Sequence, residues 1–263
     1  MSLLRLAPEG LFPIPSAPEG KTTLGFSLAG TIQGEGLLAG TPSLFLRLSG
    51  CNMACQWIAP SGERLACDTP HALQTQKSSL VASEVLVEKI AVHRGNINHL
   101  VVTGGEPLLQ AGALVEFFEQ LRRLTPPMHV TVESNGSCFA PALLPYVDLW
   151  SFSPKLFPCF LPRYLLSEGE YPAAINQWLT AMPSSAQVQL KFVIGQRTDE
   201  GALLRFLDPL CLRATDTVML MPLGATPEAL AQTTPLTLEL CLRHGFRFAP
   251  RLQILLWGNR VGV

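Results

Sequence analysis

The chain alternates between stretches with a strand period and stretches with a helix period. Leu44-Phe-Leu-Arg-Leu48 is apolar except for Arg47, as on a half-buried strand. Behind Ser83, the residues Val85, Leu86, Lys89 and Ile90 fall at helical spacing and predict a helix over 83–94. His99-Leu-Val-Val-Thr103 then predicts a strand that runs into Gly104-Gly105. Leu114, Phe117, Phe118 and Leu121 stand at i, i+3, i+4 and i+7, a core-facing stripe on a helix that begins near 111. Strands are expected over 130–133, 149–153, 188–194 and 218–221, helices over 199–207 and 227–244, and a closing strand after that.

Strands that alternate with helices mean βαβ units with right-handed crossovers, hence an α/β fold with a parallel sheet, flat or curled into a barrel. No internal repeat interrupts the pattern. The proline-rich span 154–183 reads as an elaborated connection, and residues 1–20, with Pro8, Pro13, Pro15 and Pro18, as an extended lead-in. With 263 residues, 48% of them hydrophobic and 15% charged, the chain can bury its core as one domain, 1–263.

A formal charge of -1 argues against a nucleic-acid surface, which needs a basic excess. No apolar run approaches the roughly 18 to 20 residues that cross a bilayer, so no membrane partner is expected. The N-terminus lacks the basic start and apolar core of a secretory signal, which points to the cytoplasm, where seven cysteines stay reduced.

Ligands in such folds sit at the carboxyl ends of the strands. The polar and glycine-rich residues fall there: Thr103-Gly-Gly-Glu-Pro107, Glu133-Ser-Asn-Gly136, Ser153-Pro-Lys155 and Met221-Pro-Leu-Gly224. Cys51-Asn-Met-Ala-Cys55 follows the first predicted strand, and Cys67-Asp68-Thr69 comes eleven residues later. Structural zinc needs four closing ligands, whereas three thiolates leave one iron of a cubane open for chemistry. His71 is the only near candidate for a fourth ligand, and it reads as a surface residue. Cys138, Cys159, Cys211 and Cys241 lack ligand spacing and read as ordinary thiols. In Gly30-Thr-Ile-Gln-Gly-Glu-Gly36, three glycines let the backbone approach whatever Gln33 and Glu35 bind; the alternative is a plain turn.

The cysteine triad followed by Thr-Gly-Gly-Glu-Pro resembles the radical S-adenosylmethionine superfamily. More narrowly, Thr31-Ile-Gln-Gly-Glu-Gly36, Phe45-Leu-Arg-Leu-Ser-Gly-Cys51, Cys67-Asp-Thr69, Thr103 to Pro107, Glu133-Ser-Asn-Gly-Ser137 and Ser153-Pro-Lys155 resemble, in order, the 7-carboxy-7-deazaguanine synthase family. The resemblance implies a partial (β/α) barrel of the radical S-adenosylmethionine type with an open, modified arrangement of sheet and helices. It implies a [4Fe-4S] cluster on Cys51, Cys55 and Cys67, S-adenosylmethionine chelated to it, and Mg²⁺ on Thr69. The reaction it implies is ring contraction of 6-carboxy-5,6,7,8-tetrahydropterin to 7-carboxy-7-deazaguanine with loss of ammonia. The alternative is a related enzyme of another substrate, such as a glycyl-radical activating enzyme.

By the same resemblance, the cofactor would meet Ala66, Cys67, Asp68, Gly104, Gly105, Glu106, Ser153, Pro154, Lys155 and Met221, with Glu106 on its amino group. The substrate would meet Ile32, Gln33, Gly34, Glu35, Arg47, Thr103 and Val263, with Arg47 on its carboxylate. A flavodoxin or ferredoxin reductant and a homodimer are implied as well. Each residue has an alternative: an ion pair for Arg47, a helix cap for Thr69, a solvated charge for Lys155.

The chain departs from the family in places. Residues 56–66 are an insertion within the cysteine motif, and Ala66 stands where the compact motif has an aromatic, with Trp57 displaced. Gln253 stands where relatives can carry histidine and Met221 where they can carry glutamine. The chain also ends at Val263, later than relatives that use their terminal carboxylate.

Overall fold

The computed structural model describes residues 2–12, 31–156, 160–162, 167, 169–258 and 260. Among these the strands are β1 (Leu3–Phe12), β2 (Thr31–Ile32), β3 (Pro42–Leu48), β4 (Met53–Ile58), β5 (Arg64–Ala66), β6 (Ser79–Ala82), β7 (His99–Gly104), β8 (His129–Ser134), β9 (Leu149–Phe152), β10 (Phe160–Pro162), β11 (Gln187–Ile194), β12 (Thr217–Pro222) and β13 (Arg247–Phe248). The helices are α1 (Pro70–Leu73), α2 (Ser83–His93), α3 (Ala111–Leu121), α4 (Glu170–Ala181), α5 (Asp199–Leu207), α6 (Pro227–His244) and α7 (Leu252–Trp257).

Strands β3, β7, β8, β9, β11, β12 and β13 lie side by side in chain order and all run parallel. Each βα unit therefore docks beside its predecessor, as in an unclosed (β/α) barrel. One face of this sheet is apolar throughout. Leu44, Leu46, Leu48, Leu100, Val102, Val132, Trp150, Phe152, Val188, Leu190, Phe192 and Leu220 are fully buried in the main core. The stripe Leu114, Phe117, Phe118 and Leu121 of α3 is buried in the same core. Alternate residues of the same strands, among them Phe45, Arg47, Thr103, Glu133, Lys191 and Met221, line a cavity on the other face.

Local signals set the helix ends. In α6, Thr226 accepts from the backbone N–H of Ala229, Pro227 opens the first turn, and Gly245 closes the helix in the left-handed region (φ 73°).

Four segments differ from the sequence expectation or add to it. Residues Leu3–Phe12 are not a lead-in outside the sheet: β1 pairs antiparallel with both β3 and β6, burying Leu4 and Leu6, and its register shifts between Leu6 and Leu11 around Pro8. Residues 13–20 lie outside the described residues, as does Cys159. The 154–183 connection contains α4, which buries Tyr171, Ile175, Trp178 and Leu179. Trp178 packs on Trp150 and Phe152 of β9 with ring centroids 4.6 and 5.3 Å apart, contacts of about 1 kcal/mol each, and so anchors the crossover next to residues 153–155. The insertion 56–66 is a β-hairpin, β4–β5, joined by β10 into a second small sheet. The closing strand is only two residues long and is followed by α7.

Candidate functional site

One cavity of about 1530 Å³, open solvent at its mouth included, lies over the carboxyl ends of the parallel strands. Its enclosed part holds about 290 Å³, at the lower edge of the roughly 300–1,000 Å³ of an ordinary ligand pocket. Cys51, Cys55 and Cys67 all border it. Cys51 follows Gly50 at the end of β3, and Cys55 lies on β4. The hairpin register pairs Gln56 with Ala66, so the chain returns across the eleven-residue gap and delivers Cys67 next to the strand that carries Cys55.

Burial pushes the Cys51 thiol up to about 11, although the Met53 backbone N–H donates to its sulfur at 3.4 Å. Burial raises the Cys55 thiol too, against the charge of Lys155. As free thiols both hold their protons at neutral pH, and metal must displace them. Among the described residues no three His, Cys, Asp or Glu side chains converge as the ligands of one ion would. Ligands of a cubane cluster do not converge either, because each meets its own iron. The donor set fits such a cluster: soft sulfurs, three of them, around one cavity.

The glycines at the end of β7 serve the cysteine loop directly. A Cβ on Gly104, whose φ is +146°, would stand 2.1 Å from the carbonyl oxygen of Leu48, and one on Gly105 would stand 2.2 Å from that of Gly50. The Glu106 N–H donates to Gly50 O at 2.8 Å. Both glycines line the cavity, but Glu106 does not.

Glu106, expected at the cofactor's amino group, is fully buried beneath the next strand end. It accepts from Leu108 N (3.0 Å), Ser134 Oγ (2.8 Å) and Asn135 N (2.7 Å). Burial raises its carboxyl, those three donors opposing. Asn135 in turn donates to Asn52 Oδ1 at 2.9 Å, and Asn52 donates to Ser137 Oγ at 2.7 Å, which ties the cysteine loop to the end of β8.

The floor of the cavity carries a charged network. Lys191, on β11 and almost fully buried, donates to Glu35 Oε2 at 3.0 Å and to Glu133 Oε1 at 3.3 Å. Arg251, next to α7, donates to Glu35 Oε1 at 3.0 Å, to Asp68 Oδ2 at 2.7 Å and to Gly224 O. Gln253 donates to Glu35 Oε1 at 2.7 Å, and Gln33 to Glu133 Oε1 at 3.2 Å. Burial works to raise the Glu35 carboxyl, but Lys191 and Arg251 outweigh it and hold it at about 2. Burial works to lower Lys191, but Glu133 and Glu35 hold its ammonium well above the ordinary value.

Gly34 is needed here because Gln253 covers it: a Cβ would stand 2.9 Å from the Gln253 backbone nitrogen, and Leu252 N donates to Gly34 O at 2.9 Å. Lys191 and Arg251 were not singled out in the sequence. A lysine inside the apolar run 188–194 was the available signal; for Arg251 there was none short of the fold.

Of the remaining expected residues, Ile32, Ala66, Asp68, Thr69, Thr103, Ser153, Lys155 and Met221 border the cavity, Pro154 is buried behind it, and Val263 lies outside the described residues. Arg47 borders the cavity while its Nε lies 3.2 Å from Glu9 Oε1, so the ion-pair alternative is present in the structure. His71 pairs with the same carboxylate. Thr69 makes no side-chain cap on α1; its hydroxyl lies 3.3 Å from the Cys67 sulfur. Lys155 donates to Ser153 Oγ at 3.0 Å, and its ammonium lies 5.7 Å from the Trp57 ring centroid.

Known proteins resemble this chain in sequence and in fold. A family model described as a 4Fe-4S single cluster domain matches residues 32–144. A 7-carboxy-7-deazaguanine synthase of Rhodopirellula baltica is 34% identical over 236 residues, covering 88% of this chain and 85% of that protein. One of Halobacterium salinarum is 33% identical, with 87% and 88% covered. The crystal structure of QueE from Escherichia coli superposes with a TM-score of 0.61 over 94% of this chain and 93% of that one, at 22% identity, a likeness of fold.

Proposed function

This chain belongs to the 7-carboxy-7-deazaguanine synthase family, and on that premise we propose that it is a radical S-adenosylmethionine lyase of 7-deazapurine biosynthesis. It converts 6-carboxy-5,6,7,8-tetrahydropterin to 7-carboxy-7-deazaguanine with release of ammonia. One observation carries the reading: three cysteines and a paired set of cations and carboxylates face the same cavity.

Cys51, Cys55 and Cys67 would hold three irons of the cluster. When bound, the cluster and S-adenosylmethionine supply the electron and the hydrogen-abstracting chemistry. The chain's task is to place the pterin and keep water out. Glu35 remains ionised at any working pH, so it can only accept, which suits the N–H-rich face of an aminopyrimidinone. Gln33 and Glu133 extend that accepting surface, and Lys191 fixes both carboxylates in place. The Arg47 guanidinium, held beside Glu9, would take the carboxylate of the substrate. Ser153 and Lys155 would take the cofactor's ribose or carboxylate. Thr69 would hold Mg²⁺, a hard ion completed by substrate oxygens and water.

No helix among the described residues is long and apolar enough to cross a membrane. A cytoplasmic homodimer that draws electrons from a flavodoxin or ferredoxin completes the proposal, supported by the family resemblance. The test is anaerobic turnover of the reconstituted protein with the carboxytetrahydropterin, Mg²⁺ and a reductant. Ammonium and deazapurine in equal amounts are expected, and cofactor cleavage with no ammonium released would overturn the reaction.

A further inference from the structure

Of the eleven residues between the second and third cysteines, Trp57, Leu65 and Ala66 line the cavity. Cys55 and Trp57 are i and i+2 on β4, so they project to the same face, and Leu65 stands opposite Trp57 across the hairpin. All three border the cavity. The far end of β4 rests on the opposite rim: a Cβ on Gly195, just beyond β11, would stand 2.9 Å from Ile58 O and 2.6 Å from the Leu223 side chain. The hairpin thus spans from the cysteine loop to the ends of β11 and β12, and it brings Trp57 and Leu65 to the same lining as Leu223, an apolar part of a cavity whose floor is charged.

Trp57 and Phe45 are the aromatic side chains on the lining. Phe45 is buried against Val101 in the floor, whereas Trp57 is half-buried, next to Cys55, with the Lys155 ammonium near its ring. We infer that Trp57, presented by the β4–β5 hairpin, is the stacking surface for the adenine of S-adenosylmethionine, in the place where Ala66 offers none. The inference rests on the proposed use of that cofactor. With its amino acid end on a cluster that Cys51, Cys55 and Cys67 would hold, its base would lie against a wall close to those cysteines. A purine face favours an aromatic surface over the ion pairs of the floor. The insertion then supplies both the return of the chain to Cys67 and the nucleoside wall.

The test uses the full chain with its cluster reconstituted anaerobically, with dissociation constants for S-adenosylmethionine and for methionine measured by equilibrium dialysis. Trp57→Leu keeps an apolar wall and removes the ring, and is expected to bind S-adenosylmethionine about tenfold more weakly with methionine binding unchanged. Trp57→Phe should restore most of the loss. Equal binding by wild type and Trp57→Leu overturns the inference, as does equal weakening by Leu and Phe.

A second measurement does not depend on how well the Leu variant holds iron. In wild-type protein labelled with 5-fluorotryptophan, the resonance that Trp57→Phe removes should shift on adding S-adenosylmethionine and stay in place with methionine. No shift overturns the inference. If iron-loaded wild type fails to bind S-adenosylmethionine at all, the family reading falls, and this inference with it.

Discussion

A Cβ on Gly105 would stand 2.2 Å from the carbonyl oxygen of Gly50, the residue before the first cysteine. The obstacle is backbone and cannot swing aside, so Gly105→Ala must push the cysteine loop away. The expected cost is about 2 kcal/mol in apo-protein stability together with a marked loss of reconstituted iron. Gly112→Ala is the control, because its Cβ meets nothing and it lies on α3. Iron content and urea midpoints of the two variants check this; full iron in Gly105→Ala would contradict it.

Glu106 accepts three donors beneath the end of β8, so Glu106→Gln turns one acceptor oxygen into a donor that faces another N–H or hydroxyl. A loss of about 2 kcal/mol in the apo protein, read from urea unfolding, is expected. Unchanged apo stability would contradict the structural role of those three bonds.

Lys191 separates Glu35 from Glu133 at the cavity floor. Lys191→Met leaves two half-buried carboxylates short of a partner and should destabilise the fold by about 2 kcal/mol. Adding Glu35→Gln should recover part of that loss. Strict additivity in the double-mutant cycle would sink the claim that the two side chains act as a pair.

His99 sits low in the sheet, bonded to Ser43 Oγ at 2.7 Å and Thr131 Oγ1 at 2.9 Å. Burial, with the neighbouring His129 second, pushes it down to about 4. Its folded pKa lies below its unfolded value near 6.5, so the unfolded chain binds the extra proton first. Stability is therefore lost as pH falls from about 6.5 to 4, by at most about 3 kcal/mol from this group. His99→Gln should flatten the urea midpoint over that window, and identical slopes in variant and wild type would refute the assignment.

The parallel frame was legible because strands such as 99–103 and 130–133 carry apolar residues on the core face and punctuation at their ends. The segments that escaped were masked by proline or by length. Leu4 and Leu6 of β1 sit just before a proline-rich tract, and the stripe of α4 begins next to Pro172. The hairpin that turns at Pro60-Ser-Gly62 has two arms too short to read by period. The cysteines, Gln33, Glu35 and Arg47 could be found from local motifs. Their partners could not. Lys191 and Arg251 stand 156 and 216 residues from Glu35, and only the completed fold brings them together. The partners of Glu106 escaped for the same reason: motif spacing places a residue at a strand end without telling which donors its carboxylate meets.

The central claim is that the cavity bordered by Cys51, Cys55 and Cys67 also seats the pterin, within reach of the radical chemistry begun there. The direct measurement uses carboxytetrahydropterin deuterated on its reduced ring carbons, with the 5′-deoxyadenosine that forms analysed by mass spectrometry. The account predicts deuterium in the deoxyadenosine of the wild-type reaction. Deoxyadenosine formed in full amount but free of deuterium, with the pterin recovered unchanged, would contradict it.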